Sequence, residues 1–254
     1  MALHVARGTI TGLVAVVGLI VGSFLNVVIY RVPRRLSVTR PRSFCPHCQT
    51  PVRAVDNIPV VSWLVLRGRC HQCREPVAVR YPLGELGTAV VFAAIGWGLG
   101  PHWGVAGFCA LAATLIALVS IEREGLNPPL SAAAIGTTMG TLLLVGAAIA
   151  DHRWHHLVGV LVGVAVAAAI VAAKTPWTAS APTLLPVGAV LGWLGPASTA
   201  EGLATTVVVL VVSRLAGRRK WSHDAAPDVL GLALAAGAVV ATVVAVVAGT
   251  GVGR

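Results

Sequence analysis

The chain of 254 residues is 56% hydrophobic and only 11% charged, with a mean hydropathy of +0.84, whereas a soluble domain carries about 25% charged residues. This composition excludes a water-soluble globular protein and implies an all-α integral membrane protein. The formal net charge of +10 does not imply nucleic-acid binding, because the cations gather beside apolar segments rather than on a separate soluble surface.

A helix needs roughly 20 apolar residues to cross a hydrocarbon core of about 30 Å. Runs of that order predict about eight spans, near 9–30, 83–100, 104–121, 131–150, 157–173, 183–199, 202–215 and 229–249. Arg31, Arg34 and Arg35 follow the first run where a cleaved signal would carry small residues. It is therefore expected to remain as an anchor.

The organisation expected is an anchor over 1–30, a polar module over 31–82 and a seven-helix bundle over 83–254. The polar segment holds Arg31, Arg34, Arg35, Arg40, Arg42, Arg53, Arg67, Arg69, Arg74 and Arg80 against Asp56 and Glu75. Cations beside span ends are retained on the cytoplasmic face. The module is thus expected in the cytoplasm, drawn to the anionic lipid of that leaflet. Alternating the spans from there leaves only Arg7, Arg153 and Arg254 on the opposite face, with both termini. No internal repeat is evident. Gly159, Gly163, Gly231 and Gly237 read as sites of close helix packing, and the solitary Cys109 as a small packing residue.

A segment of about 50 residues builds little core by itself and usually needs a metal or disulfides. Two pairs, Cys45-Pro46-His47-Cys48 and Cys70-His71-Gln72-Cys73, answer that need. Each Cys-x-x-Cys turn sets two thiolates on one side of a tight knuckle, and two knuckles close a tetrahedron around zinc. A reducing cytoplasm favours metal over disulfide. Cys45, Cys48, Cys70 and Cys73 are therefore the expected zinc ligands, in a zinc-ribbon-like module. With four protein ligands there is no open position for water, so the metal would be structural. His47 and His71 are expected to face solvent.

The surrounding residues carry a resemblance. The chain reads Gly22-Ser23-Phe24-Leu25-Asn26, then Asp56-Asn57-Ile58-Pro59-Val60 between the cysteine pairs, and Arg80-Tyr81-Pro82-Leu83-Gly84-Glu85 after them. Over 22–92 this closely resembles the N-terminal part of the type IV prepilin peptidases, also called prepilin leader peptidase and N-methyltransferase. The resemblance implies a bacterial inner-membrane aspartic endopeptidase that removes the leader of type IV prepilins, or of type II secretion pseudopilins. It also implies N-methylation of the new terminus with S-adenosylmethionine. Eight spans and a cytoplasmic cysteine loop belong to the same implied architecture, and no oligomeric state follows.

The same resemblance implies two catalytic aspartates, one just after the third span and one in a Gly-x-Gly-Asp motif after the fifth. Two carboxylates sharing a proton divide the work, one as base on water and the other as acid toward the scissile carbonyl. Here Ser120-Ile121-Glu122-Arg123 puts Glu122 at the first position, one methylene longer than aspartate. The second motif falls on Trp177-Thr178-Ala179-Ser180, with Ser180 in place of the aspartate, and neither Asp nor Glu occurs between Asp151 and Glu201. Beyond Glu201, Asp224 and Asp228 before the last span are the acids expected on the module's side. The dyad is thus expected to be lost. Three readings follow: a prepilin-peptidase-like protein with doubtful proteolysis, a non-catalytic pilin-binding or assembly factor, and a methyltransferase alone. A carrier is disfavoured, since scarcely any charge lies mid-span.

Overall fold

The structure, a computed structural model, describes residues 2–152 continuously and then the helical positions 156, 158–161, 163–165, 168, 186 and 189. Its elements are α1 (Ala2–Arg31), a 3-10 turn (Ala54–Asn57), α2 (Val61–Val65), α3 (Arg80–Leu99), α4 (Gly104–Arg123) and α5 (Leu130–Ala150). Among the described residues there is no strand, only two isolated β-bridges. Helices α1, α3, α4 and α5 are each long and apolar enough to cross a membrane. They occupy the first four expected spans, with α1 beginning well before residue 9. The expected spans from 157 onward lie outside the described residues apart from single positions.

Helix α1 packs chiefly on α3 and α4 on α5, and α3–α4 and α1–α4 contacts join the two pairs. Among the described glycines the closest backbone-to-backbone approach is made by Gly18 and Gly22, one turn apart on α1. A Cβ on Gly18 would lie 2.7 Å from Ala89 Cα, and one on Gly22 would lie 2.7 Å from Glu85 Cα. Glycine at four-residue spacing is what lets two helix backbones meet at this distance. On the second pair, a Cβ on Gly107 would stand 2.7 Å from Leu144 and one on Gly140 2.6 Å from Leu111. Of the glycines expected to pack closely, Gly159 and Gly163 are described only as single helical positions, and Gly231 and Gly237 lie outside the described residues.

Between the helices lies a buried cluster that includes Val91, Phe92 and Ile95 of α3, Phe108 and Leu111 of α4, and Leu144 of α5. Cys109 belongs to it and is buried, as a packing residue should be. Leu13, Val16, Val17, Ile20 and Phe24 of α1 remain exposed. Such an outward apolar surface is what a hydrocarbon environment accepts and water penalises.

The two ends of the bundle differ. At one end Arg34 after α1 and Arg80 at the start of α3 both pair with Glu124 after α4, at 3.5 and 3.6 Å. At the other, His102 before α4 pairs with Asp151 after α5 at 3.0 Å. The helices thus alternate in direction. The cysteine-bearing segment 32–79 sits at the Glu124 end. Its first stretch is folded by Arg31, buried despite its charge, whose guanidinium donates to the carbonyls of Ser37 (2.9 Å) and Pro41 (2.8 Å).

Candidate metal centre

The two cysteine pairs sit in loops of the same backbone design. In the first, the Cys45 amide donates to Thr50 O (3.0 Å), Gln49 to Cys45 O (2.8 Å) and Val52 to Ser43 O (2.8 Å). In the second, Cys70 donates to Glu75 O (2.8 Å), Arg74 to Cys70 O (3.1 Å) and Val77 to Gly68 O (2.7 Å). The bridges Phe44–Pro51 and Arg69–Pro76 close the two loops, and Gln49 and Arg74 share positive φ, 58° and 62°. Each position maps onto its counterpart by the same shift that carries Cys45 to Cys70. The module therefore contains a short internal repeat, where sequence reading found none. Its trace is Cys-x-x-Cys-x-x-Pro-Val, present at Cys45–Val52 and again at Cys70–Val77.

The repeat brings all four thiols together. The sulfurs of Cys45, Cys48, Cys70 and Cys73 lie within 4.8 Å of one another, with Cys45 Sγ and Cys73 Sγ 3.8 Å apart. A tetrahedron with about 2.3 Å from zinc to sulfur has edges of about 3.8 Å. The donor set thus fits a four-thiolate metal ion, and it is the group of four predicted from spacing. His47 and His71 are exposed and stand outside the cluster.

The thiol acidities fit the same arrangement. Hydrogen bonding by the Thr50 hydroxyl and amide lowers Cys48 to about 6. Amides of Cys73 and Gln72 lower Cys70. At Cys73 the Glu75 amide favours the thiolate, but burial and three neighbouring sulfurs overcome it and push the thiol up to about 12. Knuckle amides invite negative charge onto the sulfurs, and their crowding resists the last ionisation. A bound cation removes that conflict.

Around the sulfurs the module is held by a few polar ties. Trp63 of α2 donates its indole N–H to Val77 O (3.0 Å) and lies against Gly68 at φ 67°, where a Cβ would sit 2.8 Å from the ring. A β-carbon has no room there and the backbone is left-handed, so only glycine fits. Arg53 forks onto Asp56 at 2.7 and 3.0 Å and reaches His71 Nδ1 at 3.1 Å. Arg53 holds the Asp56 carboxyl below its ordinary value. This tie is present above the usual carboxylate range and is lost only as pH falls through the depressed value.

A polar junction binds the module to the helices. Asn26 of α1 donates to Tyr81 O at 3.2 Å, and Glu85, buried on α3, accepts the Val60 amide at 2.6 Å. Ser62 accepts from the Ile58 amide (3.0 Å) and donates to Val55 O (2.9 Å), closing the turn that presents Val60. In the sequence Glu85 stands among the residues that carry the family resemblance, with no sign of its Val60 partner. Glu122, the residue expected at the first aspartate position, is half-buried in the last turn of α4, at the same end of the bundle as the module. Ser180, Asp224 and Asp228 lie outside the described residues.

Comparison with known proteins gives a consistent family. The family model described as the bacterial peptidase A24 N-terminal domain matches residues 16–99. The prepilin leader peptidase/N-methyltransferase of Neisseria gonorrhoeae is 42% identical over 136 residues, 44% of this chain and 48% of that protein. The enzyme of the same name from Aeromonas hydrophila is 39% identical over 141 residues, 46% and 49% of the two chains. That of Myxococcus xanthus strain DK1622 is 36% identical over 221 residues, 82% of this chain and 66% of the relative. The matches to the first two span about half of those relatives' length, and the third about two thirds. No solved structure matches the chain.

Proposed function

Because the chain belongs to the prepilin leader peptidase/N-methyltransferase family, we propose that it binds prepilin or pseudopilin leader segments at the bacterial inner membrane without cutting them through an aspartate pair. In this reading the multi-pass protein turns its cysteine module to the cytoplasm. Cys45, Cys48, Cys70 and Cys73 would hold zinc, which would serve there as a structural cross-link for a module too small to fold on its own core.

The observation that carries the reading is the lack of any acid between Asp151 and Glu201, beside a cysteine cluster and helix junction that are intact. An aspartic mechanism divides base and acid roles between two carboxylates. Glu122 supplies one carboxylate at the module end, and Ser180 supplies none. The module's arrangement offers a reason for its retention, since it organises the end of the bundle at which a leader segment would be received. The test is binding of a prepilin leader peptide by the full chain in lipid, with cleavage followed in the same sample. Retention of the peptide intact supports the reading, and loss of its leader contradicts it.

A second reading, methyl transfer alone, draws on the N-methyltransferase named in the similar proteins of Neisseria gonorrhoeae and Myxococcus xanthus. Transfer of label from S-adenosylmethionine to a processed pilin N-terminus would support it.

A further inference from the structure

Helix α2 and the turn before it carry an apolar surface with no partner among the described residues. Val55, Ile58, Val61, Leu64 and Val65 are between 49 and 74% exposed. Five neighbouring apolar side chains left open in a polar, arginine-rich module call for an occupant.

The junction fixes where this surface lies. Val60, which enters α2, is bonded to Glu85 at 2.6 Å. Glu85 is five residues into α3, about 7.5 Å along its axis from Arg80. Gly22, which abuts Glu85, is nine residues from the end of α1, about 13 Å. The entry to α2 therefore lies within side-chain reach of the first turns of α3. With a hydrocarbon core of about 30 Å and headgroup layers of roughly 5–8 Å on each side, that level is the membrane boundary.

Charge selects the lipid. Arg67 and Arg69, which follow α2 directly, are exposed and make no ion pair among the described residues. The whole segment opposes its ten arginines with Asp56 and Glu75 alone. We propose that α2 is an interfacial anchor: Ile58, Val61, Leu64 and Val65 enter the acyl boundary of the adjoining leaflet, while Arg67 and Arg69 bind anionic phospholipid headgroups. The arrangement is that of a short helix lying in the interface, with apolar area and basic charge acting together. It holds whether or not the protein binds prepilins.

The test replaces Leu64, and in a second variant Val65, with the photoreactive residue p-benzoylphenylalanine in the full chain. Each is reconstituted in vesicles of phosphatidylethanolamine and phosphatidylglycerol, with bound metal measured to confirm that the module is folded. Irradiation should yield phospholipid adducts at both positions, detected by mass. The yield should fall severalfold when phosphatidylcholine replaces phosphatidylglycerol, and by up to roughly fivefold for each of Arg67→Gln and Arg69→Gln. Cross-links to residues of 153–254, the absence of a lipid adduct from both folded variants, or equal yields in zwitterionic vesicles would each overturn the proposal.

Discussion

The carboxylate of Glu85 stands 2.6 Å from the amide of Val60, joining a helix of spanning length to the loop between the two cysteine pairs. Val60 is β-branched yet holds φ at 60°, a conformation that costs on the order of 1–3 kcal/mol and persists only where its surroundings impose it. The Glu85 bond and the Ser62 turn are what impose it.

Removing that acceptor should free the module from the helices. A hydrogen bond to a charged group contributes about 1.5–3 kcal/mol, so Glu85→Ala should speed hydrogen exchange at the Val60 amide by roughly 10- to 100-fold. Glu85→Gln retains a carbonyl acceptor and should change the rate much less. Equal exchange in the wild-type and Glu85→Ala proteins would show that the bond does not hold the loop.

The α1–α3 contact predicts a contrast between glycines on one helix. Gly22→Ala pushes a Cβ to 2.7 Å from Glu85 Cα and should lower the thermal midpoint of the protein in detergent, with a loss of about 1–3 kcal/mol from overpacking. Gly12→Ala meets nothing within 4 Å. It should be neutral or stabilising by up to about 1 kcal/mol through helix propensity.

The cysteine cluster predicts its own metal content. Purified protein should carry about one zinc per chain, the complement of a single four-thiolate site. Cys45→Ser or Cys70→Ser should release the metal and unfold segment 32–79, because binding energy is folding energy here. Full zinc retention by both variants would refute the four-cysteine assignment.

By contrast, Glu124→Gln should be mild. Its pairs with Arg34 and Arg80 are 3.5 and 3.6 Å long, with arginine side chains one-third exposed. Such pairs contribute about 0–1 kcal/mol each. The measurement is the shift in thermal midpoint, which should be smaller than that of Gly22→Ala.

The helices were legible because their signal is local: a run of apolar residues gives α3, α4 and α5 to within a few residues. The cysteine quartet was legible because chelation imposes its own spacing. Pairwise relations were harder to read. Sequence offered many glycines, and nothing local to α1 told that Gly18 and Gly22 would be the ones to face another backbone. The duplicated knuckle was missed because its likeness lies in backbone hydrogen bonds, with only Cys-x-x-Cys-x-x-Pro-Val left in the letters. Glu85 reads in sequence as part of the family-like stretch, but its bond to the module was not legible, since its partner is an amide 25 residues away.

The central claim is that this chain binds prepilin leaders without cutting them through an aspartate dyad. It is tested most directly by incubating the full chain, reconstituted in lipid, with a prepilin and following the N-terminus by mass spectrometry. The account predicts that the prepilin is bound and keeps its leader, in the wild-type and Glu122→Ala proteins alike. Removal of the leader by the wild type, abolished by Glu122→Ala, would contradict it.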